Sequence, residues 1–212
     1  MTRSETTPPS NSAETPSTTP DALTPATDEL FRYTELELLA RLPNLEALAQ
    51  QLGMPVSRGQ DTDQTSLAFG LEDLFLDPIV IRRREPFLLA LAFVGQATSS
   101  KQQLLANDLI ERPEEYLQTI AGGLVKAFQK STRAADVLEL TRIETPVEGI
   151  QTAAARTRVS SGSDIYVARL LVTEHEKVLA LILQIARVEK IDGLLDDVAL
   201  ARSIMLAEVP RG

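Results

Sequence analysis

The sequence predicts an α+β domain built on an antiparallel sheet, and three stretches carry that prediction. Ile150 to Val188 reads as three consecutive strands joined by two tight turns, a C-terminal three-strand meander. Phe87–Val94, FLLALAFV, is apolar on both sides, as a strand covered on both faces must be. Between them, Pro113–Lys130 repeats Tyr116, Ile120, Leu124 and Phe128 at every fourth residue, which is the stripe of an amphipathic helix. Strands gathered in one antiparallel block, flanked by a long helix and a C-terminal helix, define the class.

Taken in order, residues 1–27 are mostly Ser, Thr and Pro, with Pro8, Pro9, Pro16, Pro20 and Pro25 and almost nothing to bury. That composition predicts a disordered tail, leaving residues 28–212 as a single α+β domain. Leu30–Leu42 fits two patterns: a strand with Phe31, Tyr33, Leu36 and Leu38 aligned, or a helix aligning Phe31, Thr34, Leu38, Leu39 and Leu42. Pro43 ends either. Asn44–Leu52 reads as a helix, with Leu45, Leu48, Ala49 and Leu52 on one face and Gly53 and Pro55 after it. Ser57–Gln64 reads as a loop, Ser66–Phe69 and Pro78–Ile81 as β-prone pieces, and Leu71–Leu76 as a helical turn or a strand.

Helical pattern begins weakly after Ser100 and becomes strong at Pro113, where Glu114 and Glu115 stand at the positive end of the helix dipole. Gly122-Gly123 inside this helix costs about 1 kcal/mol per residue relative to Ala, which close approach to a sheet explains better than a hinge. Ala135–Glu144 is a strand with Leu138 and Leu140 apolar, and Thr145–Gly149 is a turn. The meander follows: Ile150–Val159, a hairpin turn around Gly162, Ile165–Val172, a turn over Thr173–Lys177, then Val178–Val188. That last arm is polar only at Gln184 and Arg187, which places it at the centre of the sheet. After a turn at Asp192-Gly193, Asp196–Leu206 closes the chain as a helix with Val198, Ala201 and Met205 inward.

Composition narrows the function. With 43% hydrophobic residues, no Trp and 4% aromatics, the 212-residue chain must fill its core with Leu, Ile, Val and Ala. A formal charge of −9 repels phosphate backbones and anionic lipid, so neither nucleic acid nor a membrane surface is expected as partner. Cysteine is absent, which excludes disulfides, thiolate metal sites and Cys nucleophiles. The first 20 residues have no apolar signal core, and Val178–Ile185 is too short to span a bilayer, so a cytoplasmic protein without membrane insertion is expected. His175, the single histidine, lies in the polar turn Thr-Glu-His-Glu-Lys, without a nucleophile or a second His. Asp196-Asp197 and Glu114-Glu115 each open a helix, where acids complement the dipole. No strand–glycine–helix junction offers a phosphate cradle. No catalytic residue, metal or cofactor is therefore expected, and the protein reads as a non-enzyme.

What stands out is arginine. Arg82-Arg83-Arg84 is a concentrated positive run on an acidic chain, able to clamp acidic or phosphate groups of a partner. In the first meander arm Arg156 and Arg158 share a face, and Arg169 on the second arm falls near them. Together these would draw a basic strip across the exposed sheet. All six are candidate partner-binding residues.

From Phe87 to Leu206 the order of elements resembles the fold shared by the photosystem protein PsbP, the Ran-binding Mog proteins and the small bacterial chaperones that accompany type VI secretion effectors. The matching pieces are Arg83-Arg84-Glu85-Pro86 leading into a buried strand, Arg112-Pro-Glu-Glu-Tyr-Leu117 opening the long helix, the turn over Thr145–Ile150, the meander, and a last helix after an acidic turn. Phe31–Pro43 would correspond to that family's first strand, while its Pro-x-x-Trp element has no counterpart here. The resemblance implies a binding protein rather than an enzyme. A non-catalytic protein-binding module, chaperone- or assembly-factor-like, is the first expectation. The alternative is a carrier or sensor holding a small ligand in an apolar pocket between sheet and helix.

Overall fold

The computed structural model describes residues 33–42, 56–58, 71, 74–76, 79–83, 88–131, 134–188 and 196–207. The elements are α1 (Glu35–Ala40), β1 (Val56–Arg58), β2 (Ile79–Arg83), β3 (Leu88–Gln96), α2 (Ser100–Glu111), α3 (Pro113–Lys130), β4 (Ala135–Ile143), β5 (Gln151–Ser161), β6 (Asp164–His175), β7 (Val178–Arg187) and α4 (Asp197–Met205). The strands form one antiparallel sheet of seven, ordered β1-β2-β3-β7-β6-β5-β4. The most apolar strand, β7, takes the central position, with nine of its ten residues buried. This is the α+β architecture with a C-terminal meander that the sequence predicts.

Side chains alternate across a strand, so β3 and β7 feed two cores. On one face Leu89, Leu91, Phe93, Leu179, Leu181, Leu183 and Ile185 meet Ala106, Leu109 and Ile110 of α2 and Leu117 and Ile120 of α3. On the other, the smaller Ala90, Ala92, Val94, Ala180 and Ala186 meet Leu38 of α1 and Ala201, Ile204 and Met205 of α4. Large residues predominate under the two long helices, whereas alanines, with Ile182 and Val178 among them, predominate under the short ones. α2 and α3 also carry the chain from the middle of the sheet to its edge at β4.

Several local readings are corrected. The ambiguous N-terminal segment is helical at Glu35–Ala40: Thr34 Oγ1 accepts from the Glu37 amide while the Glu37 carboxylate accepts from the Thr34 amide. That reciprocal cap favours helix over the first strand implied by the resemblance. Val56–Arg58 is a short strand on β2 where a loop is expected from Ser57. Gly95 lies inside β3 instead of ending it, because Phe75 bridges to it and a Cβ there would collide with the Leu74 carbonyl. The Gly122-Gly123 pair has no such reason. α3 runs unbroken through it, and a Cβ at either position would meet nothing within 4 Å. The turn after β6 is tighter than expected: Thr173 to His175 stay in the strand, and Glu176 and Lys177 turn with φ of 49° and 64°. Residues 1–27, the Asn44–Leu52 helix, Ser66–Phe69 and the Asp192-Gly193 turn lie outside the described residues.

These glycines make opposite expectations. Gly95→Ala should destabilise by about 3 kcal/mol, since backbone rather than a flexible side chain blocks the new methyl. Gly122→Ala or Gly123→Ala should stabilise by up to about 1 kcal/mol each. Urea unfolding of the three variants measures both effects. Destabilisation by either helix substitution would mean that the pair does face a close neighbour.

Candidate functional site

The site starts from the sequence of β5, QTAAARTRVSS. Its odd residues Ala153 and Ala155 point to the α2–α3 core, so Ala154, Arg156 and Arg158 point to the face that carries α4. α4 packs on β6 and β7. The arginines emerge beyond it. The two-residue turn at Gly162-Ser163, with Gly162 at φ 61°, sets the β5–β6 register and puts Arg156 directly opposite Arg169. Arg158 lies opposite Val167 on one side and Glu139 on the other. Glu139, Arg156, Arg158, Val167, Arg169 and Val188 line a pocket of about 270 Å³. The expected basic strip is therefore a concave site on the sheet.

Glu139 arrives there through a β-bulge. The β4–β5 register shifts between Val137 and Glu139. Without that extra residue, the Val137–Val159 register would place Leu138 opposite Arg158 and turn Glu139 to the opposite face. With it, Leu138 is left 52% exposed, Glu139 joins the arginines, and Leu140 alone of the two leucines packs on the core. The reading of Leu138 as a strand apolar position is corrected accordingly. The Glu139 carbonyl accepts from Thr157 Oγ1 at 2.6 Å, which pins the bulged residue to β5.

The carboxylate of Glu139 is shared. Its Oε1 lies 3.7 Å from Arg156 Nη2 and its Oε2 3.8 Å from Arg158 Nη1, separations of charge attraction rather than hydrogen bonding. Oε1 also accepts from Thr141 Oγ1 at 3.1 Å. The side chains of Arg156 and Arg158 are 45% and 42% exposed, and their guanidiniums donate no hydrogen bond among the described residues. Arg169 is deeper. Its Nη2 donates to Asp197 Oδ1 at 2.7 Å, and the buried Gln184 amide donates to the same oxygen.

Other arginines serve the fold. Arg41 Nη1 donates to the Met205 carbonyl at 3.1 Å at the end of α4, while its guanidinium lies 4.5 Å over the Tyr33 ring. Arg142 donates to the Glu111 carbonyl at 2.6 Å at the end of α2. Both satisfy carbonyls that a helix leaves orphaned, at the negative end of its dipole. Arg187 pairs with Asp164 across the sheet.

Of the residues singled out in the sequence, Arg156, Arg158 and Arg169 are brought together. Arg82 and Arg83 lie in β2, with three strands between them and β5, roughly 19 Å at the usual strand spacing. Arg84 is outside the described residues. Asp196 is the N-cap of α4, accepting from the Val198 and Ala199 amides, as its position predicts. Asp197 is the missed residue: it faces the sheet and holds Arg169 and Gln184. Its signal was the doubled acid, since one carboxylate suffices for the cap. His175 ends β6, with Nε2 4.0 Å from Glu176 Oε1. Among the described residues no group of three or more His, Asp or Glu is placed to hold a metal. No helix among them is long and apolar enough to cross a membrane. The chain matches no protein-family model and none of the curated proteins compared with it.

Burial pushes the Asp197 carboxyl above its ordinary value, outweighing the downward pull of Arg169 and Gln184. A carboxyl so raised binds its proton more tightly folded than unfolded. Its contribution to stability is complete below the unfolded value and is lost as pH rises through the folded value. In urea unfolding, the stability of wild type minus that of Asp197→Asn should fall as pH rises across this window. A flat or rising difference would contradict the burial.

Proposed function

We propose that the chain is a non-catalytic protein-binding module, chaperone- or assembly-factor-like, that holds an acidic segment of a protein partner against the β5–β6 face of its sheet. One observation carries the reading. Arg156 and Arg158 are half-exposed, line one pocket, and spend no hydrogen bond on the fold among the described residues. A guanidinium fork matches a carboxylate with two parallel hydrogen bonds, and desolvation in a concave site strengthens them. Arginine is also enriched where partners dock. The charged lining favours this reading over a carrier of an apolar small molecule. The net charge of −9 argues against nucleic acid as the partner. The resemblance of element order to the PsbP- and Mog-like binding proteins agrees with a non-catalytic role.

The test is affinity capture from native lysate with wild type, Arg156→Ala/Arg158→Ala and Arg82→Ala/Arg83→Ala/Arg84→Ala, followed by calorimetry with the purified partner. A stoichiometric partner should be retained by the wild type and the β2 variant. The β5 variant should bind it at least about tenfold more weakly. Loss only in the β2 variant would move the contact to Arg82–Arg84, and capture of no partner by wild type would overturn the reading.

A further inference from the structure

We infer that the β5 pocket is selective for a carboxylate side chain, and that Glu139 is a built-in competitor occupying the place that the partner's carboxylate takes. This rests on the proposed binding function and deepens it by naming the ligand group.

The charges make the first argument. Among the described residues Arg156 and Arg158 face one shared carboxylate, that of Glu139, and Arg169 is held by Asp197. One positive charge is left over. A single carboxylate neutralises it, whereas a phosphate group, at about −1.5 to −2, overshoots and adds repulsion from Glu139. Asp197 is committed to Arg169 and Gln184 from the first turn of α4 and is only 12% exposed, so it stays. Glu139 is 42% exposed and its ion pairs are long. Its carboxylate can swing out from between the arginines at little cost, because exposed ion pairs of this kind contribute little, while its backbone stays pinned to Thr157 and keeps its charge beside the site.

Geometry makes the second. Arg156 and Arg158 stand two residues apart on one strand, about 7 Å between Cα atoms, and Glu139 already spans them with one oxygen toward each. An incoming carboxylate on the same line receives hydrogen bonds from two guanidiniums that make none among the described residues. Val167 and Val188 supply an apolar wall for the methylenes of such a side chain. The bulge that aims Glu139 here leaves Leu138 exposed at the sheet edge. A feature with that cost and no core contact fits a residue that tunes a site.

The experiment is calorimetry with a hexaglutamate peptide at low salt, on the full chain. It compares wild type, Glu139→Gln and Arg156→Ala/Arg158→Ala, with inorganic phosphate or free glutamate as competitor at matched ionic strength. Glu139→Gln is isosteric and lies on a half-exposed position, and thermal unfolding verifies that each variant folds. Wild type should bind the peptide, Glu139→Gln about three- to tenfold more tightly, and the double arginine variant not at all. Phosphate should fail to displace the peptide from wild type and should gain ground in Glu139→Gln. If wild type binds and Glu139→Gln binds no tighter, the competitor role is overturned while the binding function stands. Displacement from wild type by phosphate as readily as by free glutamate overturns carboxylate selectivity. Peptide binding unaffected by loss of both arginines, or absent from both wild type and Glu139→Gln, overturns the inference and the function together.

Discussion

The antiparallel pairing of β3 with β7 is the contact on which the rest of the molecule depends. It runs without interruption over nine residue pairs, from Leu88–Ala186 to Gln96–Val178. Both strands are apolar on both sides, so neither can face water, and the chain must supply a layer for each face. α2 and α3 cover the one with the large side chains, α1 and α4 the other. The placing of the candidate site follows. α4 is nine residues long and rests on β6 and β7, so the end of β5 beyond it keeps an open face. There the strand changes from Ala153, Ala154 and Ala155 to Arg156 and Arg158.

The use made of arginine separates structure from site. Arg41 and Arg142 each reach from a distant part of the chain to the carbonyls closing a helix, and such contacts bring together segments that propensity alone leaves independent. Arg156 and Arg169 do the reverse. Like charges directly opposite on neighbouring strands cost roughly 0.2–1 kcal/mol, and the register imposes the pairing. Asp197 and Glu139 offset that cost unequally, the first by a partly buried hydrogen bond, the second by two longer-range attractions. The unequal compensation leaves Arg156 and Arg158 half-exposed, held among the described residues only by the long charge attraction to Glu139.

Much of this was legible in the sequence because long periodic stretches report their own environment. Pro113–Lys130 is a helix with the predicted bounds, β7 is central because only Gln184 and Arg187 break its apolar run, and Ala201 and Met205 face inward in α4. The shared face of Arg156 and Arg158 follows from the period of a strand alone. What was not legible depends on contacts between distant residues. Leu138-Glu139-Leu140 alternates like any strand, and only pairing with β5 shows the extra residue that moves Glu139 to the arginines. Gly95 looks like a strand terminator until the backbone of Leu74 is found against it. The strand and helix patterns of Leu30–Leu42 are equally good, and the Thr34–Glu37 cap decides between them. Gly122-Gly123 suggests close packing, yet α3 turns that side away from any neighbour within 4 Å.

The most direct test of the central claim is NMR observation of the arginine Nε–Hε groups, assigned by substitution, while an acidic peptide is titrated into the protein. If the pocket is the binding site, the Arg156 and Arg158 signals shift and sharpen together at one saturating concentration. Those of Arg41 and Arg142, held by helix carbonyls, stay where they are. Shifts confined to Arg82–Arg84, or spread evenly over all the arginines, would contradict the account and leave the β5 pocket an ordinary solvated surface.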